Sequence, residues 1–191
     1  AVIEVADVDA ADIARIGRHA DFTAKLSRIA SQPVENGQAN GKEIASEAKK
    51  LLAAEGKNLS EETQELVGQT ADMLTQSGFK EDAAGLIEAL AAALEGDEKQ
   101  ASQAGRYKLI ARLVRADFDK QLNELIKDTP GAAEKLVQSV QAILKDVPPG
   151  RDLMHRTQTV AHLLESTGHY KEAQTCFDAI VAAFADVQDP E

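Results

Sequence analysis

Four histidines and one cysteine are the side chains of this chain best suited to metal or redox chemistry. His155 and His162 share one face of a predicted helix, but they are ~10 Å apart along its axis, too far to bind one metal ion unaided. His162 and Glu165 have the i, i+3 spacing of a helical ligand pair. The residues ninety positions earlier are Asp72 and Thr75, so no second pair accompanies it. We therefore predict no metal site, no cofactor, and surface or packing roles for His19, His155, His162 and His169.

Cys176 is the only cysteine, so no disulfide can form within the chain. It lies in an apolar helical pattern between Ala173 and Ile180, and the residue ninety positions earlier is Leu86. A position that accepts leucine favours a buried, inert thiol, because a reactive thiol needs exposure and nearby positive charge. We predict no catalytic or redox role for Cys176.

The familiar phosphate-binding and hydrolase motifs are missing from the sequence. Gly37 and Gly41 are one residue too close for a phosphate-binding loop, and Lys42 is followed by Glu43 rather than serine or threonine. No Gly-x-Ser-x-Gly nucleophile turn occurs. We therefore predict no catalytic residues. An enzyme with a site between the two halves of the chain stays open as an alternative.

The repeated charged feature is a pair of arginines, Arg15 and Arg18, which recurs as Arg112 and Arg115. Two interpretations are open. The arginines are solvated side chains beside the apolar face of a helix, or they form ion pairs within or between the two halves. The first interpretation is favoured.

Composition and charge restrict the fold and the partners. Apolar residues make up 43% of the 191 residues, with abundant alanine, no tryptophan and few β-branched clusters, which predicts an all-α fold. The net charge of −11 would repel a phosphate backbone, so nucleic acid is excluded as an expected partner. No apolar run approaches the ~20 residues of a membrane-spanning helix, so we expect no membrane insertion.

An internal repeat organises the chain. Ala71–Leu94 aligns without a gap with Ala161–Phe184, at an offset of ninety residues. Gly78 and Gly168 coincide in this alignment, at a point where a helix end favours a residue in the left-handed region. All five alanines of the later segment fall on alanines of the earlier one. These matches predict a tandem duplication.

A second match lies upstream. Ile13–Arg18 pairs with Ile110–Arg115, and His19 is then a single extra residue in the first copy. The offset falls from 97 to ninety between the two matches, so the first copy is the longer one. The remaining extra residues fit best in a loop over Gln32–Lys42, which is rich in Gly, Asn and Gln.

Each copy is predicted to be a four-helix unit. The two units span residues 1–96 and 97–191, and they form either one continuous helical domain or two bundles. Apolar residues at i, i+3, i+4 and i+7, with glycine and proline between the runs, predict the helices. They are Val8–Ala30, Glu43–Ala54, Glu61–Gln76 and Lys80–Leu94 in the first unit, and Ala104–Lys127, Ala132–Lys145, Arg151–Ser166 and Lys171–Ala185 in the second.

The last two helices of each unit resemble a tetratricopeptide hairpin. In the second unit four positions match that motif, namely Gly168, Tyr170, Ala173 and Phe177. In the first unit Gly78 and Ala83 match, while Lys80 and Ile87 replace the aromatic residues. The period is about ninety residues rather than about 34, so the resemblance implies tetratricopeptide-like α-α packing rather than a regular array.

A longer resemblance links the chain to the helical region ahead of the redox domain in some bacterial thioredoxin-like proteins of the thiol-disulfide reductase type. It is carried by Gln32-Pro33 after the first helix, the closing hairpin, and Phe184 followed by Asp189-Pro190-Glu191. The resemblance implies an N-terminal accessory domain, with the redox domain and its cysteines beyond Glu191, and an exported or periplasmic location. The start at Ala1 without a methionine and the abrupt end agree with that expectation.

We therefore expect a non-catalytic scaffold or protein-interaction module. Its partner would be another protein, a peptide, or a redox domain of the same chain. The alternative within the same class is self-association, giving a homodimer.

Overall fold

The computed structural model describes residues 9–30, 37–56, 59–95 and 100–185, and all regular secondary structure in these ranges is helical. The prediction of an all-α fold is confirmed. The helices of the described part are α1 (Ala10–Ala30), α2 (Gly37–Glu55), α3 (Glu61–Gln76), α4 (Lys80–Leu94), α5 (Ala101–Arg115), α6 (Phe118–Ile126), α7 (Ala132–Asp146), α8 (Arg151–Ser166) and α9 (Tyr170–Phe184).

The chain divides into two compact units, Ala1–Ala93 and Leu94–Glu191. In the first unit α2 packs against both α1 and α3. In the second unit α9 packs against both α8 and α7, and α6 packs against α7. Each unit has its own set of fully buried leucines, for example Leu74 and Leu90 in the first and Leu136 and Leu164 in the second.

The predicted helix bounds hold best where local signals mark them. α3, α4 and α8 have the predicted ends, and α7 and α9 differ by one residue. Ser60 caps α3, because its side-chain oxygen accepts a hydrogen bond from the Thr63 N–H at 3.2 Å. Residue 8, where the first helix was predicted to begin, lies outside the described residues.

The turns of the α3–α4 and α8–α9 hairpins have the same hydrogen bonds. Gly78 and Gly168 are left-handed, with φ of +86° and +85°. After each glycine an N–H reaches back to a leucine carbonyl at 2.8 Å, from Phe79 to Leu74 and from His169 to Leu164. Glycine is needed at both turns because a side chain strains this conformation. Common origin of the two units stays a prediction.

α2 begins at Gly37, inside the segment predicted as a loop over Gln32–Lys42. A Cβ atom at Gly41 would lie 2.5 Å from the Phe79 ring, so the missing side chain lets the ring rest on the helix. Gly41 is thus a packing residue within α2. Residues 32–36 of the predicted loop, with Gln32-Pro33, lie outside the described part.

The single helix predicted over Ala104–Lys127 is wrong, because two helices, α5 and α6, occupy this stretch. They are separated at Ala116 and Asp117, and Asp117 is left-handed with φ of 53°. The buried amide of Gln121 donates a hydrogen bond to the Ala116 carbonyl at 2.6 Å and accepts one from Ser139 of α7 at 2.9 Å. Gln121 therefore satisfies a carbonyl at the break and ties the break to α7.

Candidate functional site

A groove of about 420 Å³ lies between α5, α6 and α8 of the second unit. We call it the α5–α8 groove. Its floor is apolar and is formed by two side chains from each of the three helices. They are Leu109 and Ile110 of α5, Phe118 and Leu122 of α6, and Val160 and Leu163 of α8. Leu109, Phe118 and Val160 are buried, whereas the other three are only partly covered. The groove therefore offers apolar surface to a ligand that enters it.

The rim of the α5–α8 groove is polar and carries charges of both signs. It consists of Arg106, Asp119, Asp152, His155, Arg156 and Thr159. Arg106 lies 3.7 Å from the carboxylate of Asp152, a loose pair between two exposed side chains. Arg156 is exposed and forms no ion pair with any residue in the described ranges. A combination of an apolar floor and a few polar groups is typical of a binding site.

A second depression of about 600 Å³ shares Arg106, Leu109 and Asp152 with the groove and extends it toward the start of α8. It is bordered by the loop Pro148–Gly150, by Arg151, and by an ion pair between Lys108 and Glu95. The lining residues of α8 run from Arg151 to Leu163, which corresponds to ~18 Å along the helix axis. The combined surface is long enough for several residues of a peptide.

The groove exists because α8 uses one face for the core and leaves the next face open. The buried residues of α8 recur every three or four positions and join the core of the unit, namely Leu153, Thr157, Val160, Ala161 and Leu164. Asp152, His155 and Arg156 lie on the adjacent face. The break at Asp117 contributes as well, since it turns α6 so that Phe118 and Leu122 line the groove.

In the first unit a hydrogen bond links α1 to α3. α1 continues without a break through His19, the extra residue of the first copy. The His19 Nε2 atom lies 2.8 Å from the hydroxyl oxygen of Thr63, which is fully buried at the start of α3. This contact joins the middle of α1 to the start of α3. Sequence alone did not single out this contact, because its partners are far apart along the chain.

The other histidines do not converge. His155 lies on the groove rim, while His162 is exposed and meets the Phe177 ring edge-on at 5.2 Å. The His162 Nδ1 atom lies 3.5 Å from Glu165. Within the described ranges, no group of three or more His, Cys, Asp or Glu side chains is placed to hold a metal ion.

Cys176 is fully buried in the core of the second unit, on α9. Burial raises the pKa of its thiol to about 11, because the apolar surroundings disfavour the thiolate. At neutral pH the side chain is therefore a neutral thiol that packs like a small apolar residue.

Three of the repeated arginines form ion pairs within their own units, so the favoured interpretation as solvated side chains is wrong for them. Arg15 pairs with Asp12, one turn earlier on α1, at 2.9 Å. Arg18 donates from Nε and Nη2 to one oxygen of Glu55 at 2.9 and 2.8 Å, and the Glu55 side chain is only 5% exposed. Arg112 lies 3.6 Å from Asp146. Glu55 and Asp146 are the last residues of α2 and α7. Arg18 and Arg112 therefore each link two helices of their own unit.

Among the helices of the described part, none has the length and apolar content needed to cross a bilayer. Comparisons of the chain with protein-family models, with curated proteins and with solved structures found no significant match. The resemblances to tetratricopeptide hairpins and to helical regions of thioredoxin-like proteins therefore stay predictions, and the groove is the feature on which a functional proposal can rest.

Proposed function

We propose that this chain is a non-catalytic helical module for protein interaction and that the α5–α8 groove binds a segment of a partner protein. The observation that carries this proposal is the groove's apolar floor, made of side chains from α5, α6 and α8 and bordered by polar groups. Grooves between helices are a common site for apolar anchors of a peptide or helix.

The size of the floor limits the affinity that it alone can provide. Burying one leucine-sized side chain contributes about 1.5–3 kcal/mol, so two anchors contribute about 3–6 kcal/mol. Loss of rotational and translational freedom on association opposes this gain. A micromolar complex requires about 8 kcal/mol of net binding free energy. Contacts between the partner and the polar rim must therefore add to the apolar anchors.

The test is selection from a random library of 12-residue displayed peptides against the full 191-residue chain. Peptides recovered should lose at least about tenfold in affinity with the Ile110→Asn variant, because Ile110 lies on the groove floor. The matched control is Ile126→Asn, since Ile126 is 64% exposed and does not line the groove. Fluorescence polarisation measures both affinities. Equal binding to Ile110→Asn and wild type would remove the groove as the site.

In the same proposal, the module is the N-terminal accessory domain of a larger thioredoxin-like protein, and a redox domain of its own chain is one candidate partner. Support comes from the sequence resemblance carried by Gln32-Pro33 and Asp189-Pro190-Glu191. The parent gene read past Glu191 should encode a domain with a Cys-x-x-Cys motif. A stop codon directly after Glu191 would contradict the accessory-domain part and leave the groove untouched.

Self-association is the second candidate function, with another copy of the chain as the partner. Ile13 and Ile16 favour it, because they lie one turn apart on α1 and are 59% and 61% exposed. Light scattering at increasing concentration should then give a dimer mass that falls to the monomer mass in the Ile13→Ser/Ile16→Ser variant. A wild-type monomer at all concentrations would reject this candidate.

A further inference from the structure

The charges along the α5–α8 groove and its extension do not follow the acidic character of the chain. The chain has a net charge of −11, but the groove surface holds four cationic side chains, Arg106, Lys108, Arg151 and Arg156, against three carboxylates, Glu95, Asp119 and Asp152. The groove is therefore a locally cationic surface on an acidic molecule.

Two of these cations are already paired within the unit. Arg106 faces Asp152, and Lys108 is ion-paired with Glu95. Arg151 and Arg156, both exposed on α8, form no ion pair with any residue of the described ranges. On the acidic side, Asp119 of α6 also lacks an ion-pair partner there. The two guanidinium groups and the carboxylate are therefore available to form ion pairs with a partner.

The start of α8 is a second source of positive charge beside the groove. Gly150 precedes Arg151 and has no side chain to cap α8, and α5, α6, α7 and α9 likewise begin without a side-chain capping bond. The first N–H groups of α8 consequently lack a side-chain acceptor, and the helix dipole places partial positive charge there. Arg151 at the first position of the helix increases this charge, and Asp152 beside it, which also faces Arg106, offsets part of it. A carboxylate from a partner would meet both the N–H groups and the guanidinium group.

We infer that the groove binds an acidic amphipathic segment of a partner protein. Apolar side chains of that segment occupy the floor between Ile110, Leu122 and Leu163, and its carboxylates pair with Arg156 and Arg151. Charge-assisted bonds from arginine to carboxylate are among the strongest polar contacts, and they supply what the apolar floor lacks. This inference rests on the proposed function.

A basic segment is the competing occupant, and the groove disfavours it. The overall negative charge of the chain would attract such a segment at long range, but this attraction is screened beyond ~8–10 Å at physiological ionic strength. Within the groove its cations would face Arg151 and Arg156, and only Asp119 would be free to pair with them. Asp119 lies on the α6 side, so it directs the carboxylates of an acidic segment toward α8.

The experiment uses the same unbiased library of 12-residue peptides and the full chain. Peptides whose binding is sensitive to Ile110→Asn are sequenced and their net charge is compared with that of the unselected library. Their affinities are then measured for the Arg151→Glu/Arg156→Glu variant. The matched control is Lys127→Glu/Lys145→Glu, which makes the same change in net charge at exposed residues of the second unit outside the groove.

We expect the groove-dependent peptides to be enriched in Asp and Glu as well as in large apolar residues. Their affinity should fall at least about tenfold with the arginine variant and less than about twofold with the lysine variant. Groove-dependent peptides that are basic or neutral, or that bind the two charge variants equally, would overturn the inference and leave the proposed function standing. A library that yields no peptide sensitive to Ile110→Asn would instead remove the proposed function.

Discussion

Gly41 determines how closely α2 and the start of α4 can approach. Its α-carbon carries no side chain, and the Phe79 ring fills the space that a Cβ atom would take. Glycine is normally unfavourable inside a helix, by about 1 kcal/mol relative to alanine. At this position the contact with the ring outweighs that cost.

Replacing Gly41 with alanine should therefore destabilise the chain by about 1–3 kcal/mol, because the new methyl group forces the Phe79 ring or the helix to shift. Urea unfolding followed by circular dichroism measures the change. Gly68→Ala is the control, since Gly68 is helical and has nothing within 4 Å of its Cβ position. That variant should gain up to about 1 kcal/mol. Equal stability of the two variants would contradict this account of Gly41.

The Cys176 thiol should react slowly with a disulfide reagent in the native protein and fast in urea. It is fully buried, and its raised pKa leaves very little thiolate at pH 8. Release of the coloured thiolate from the reagent measures the rate. Native labelling as rapid as that of free cysteine would show that the α9 position is open to solvent and that the thiol is available for chemistry.

At the scale of the elements, one buried amide supports the break between α5 and α6. Gln121 is 4% exposed and bonds to the Ala116 carbonyl and to Ser139. No glycine or proline marks this break, since the left-handed residue is Asp117. The amide therefore helps to fix a break that no turn residue in the sequence predicts.

Gln121→Leu should lower the free energy of unfolding by about 1–3 kcal/mol, because it leaves the Ala116 carbonyl without its partner. Gln141→Leu serves as the control, since Gln141 is exposed on α7 and should change stability by less than about 0.5 kcal/mol. Chemical denaturation of both variants tests this. A Gln121→Leu protein as stable as wild type would show that the break persists without the amide.

Helix bounds are predicted correctly from the sequence where a capping residue or a turn glycine marks the end of the helix. Ser60 at the start of α3 and the glycines Gly78 and Gly168 after α3 and α8 define those helices without help from the rest of the chain. The prediction fails where contacts between residues far apart in the sequence determine the structure. Gly41 of α2 packs against Phe79, which lies just before α4, and the ion pair of Arg18 joins it to Glu55, 37 residues away.

The candidate groove was missed for a related reason. Of its lining residues only His155 stood out as a chemical group, and it was assessed as a metal ligand. Arg151 and Arg156 form no motif, and they matter only because α5, α6 and α8 surround the same space. The sequence contains one indication of this surface. Two arginines, Arg151 and Arg156, follow Pro148-Pro149-Gly150 in a chain with an excess of acidic residues.

At the scale of the whole molecule, each compact unit has a core built from its own helices. Residues 1–95 and 100–191, expressed separately, should therefore each be helical and unfold cooperatively. A fragment of residues 1–60, which lacks α3 and α4, should not. Circular dichroism during thermal unfolding distinguishes these outcomes. Loss of cooperative unfolding in both longer fragments would contradict the division into self-supporting units.

The division into units also gives the molecule an uneven distribution of spectroscopic reporters. Both tyrosines, Tyr107 and Tyr170, and the single thiol of Cys176 belong to the second unit, and the chain has no tryptophan. Tyrosine fluorescence and thiol accessibility consequently report on residues 94–191 alone, whereas far-ultraviolet circular dichroism averages over every helix. Transitions that differ between the two signals, measured on one unmodified sample, would show that the two units unfold separately.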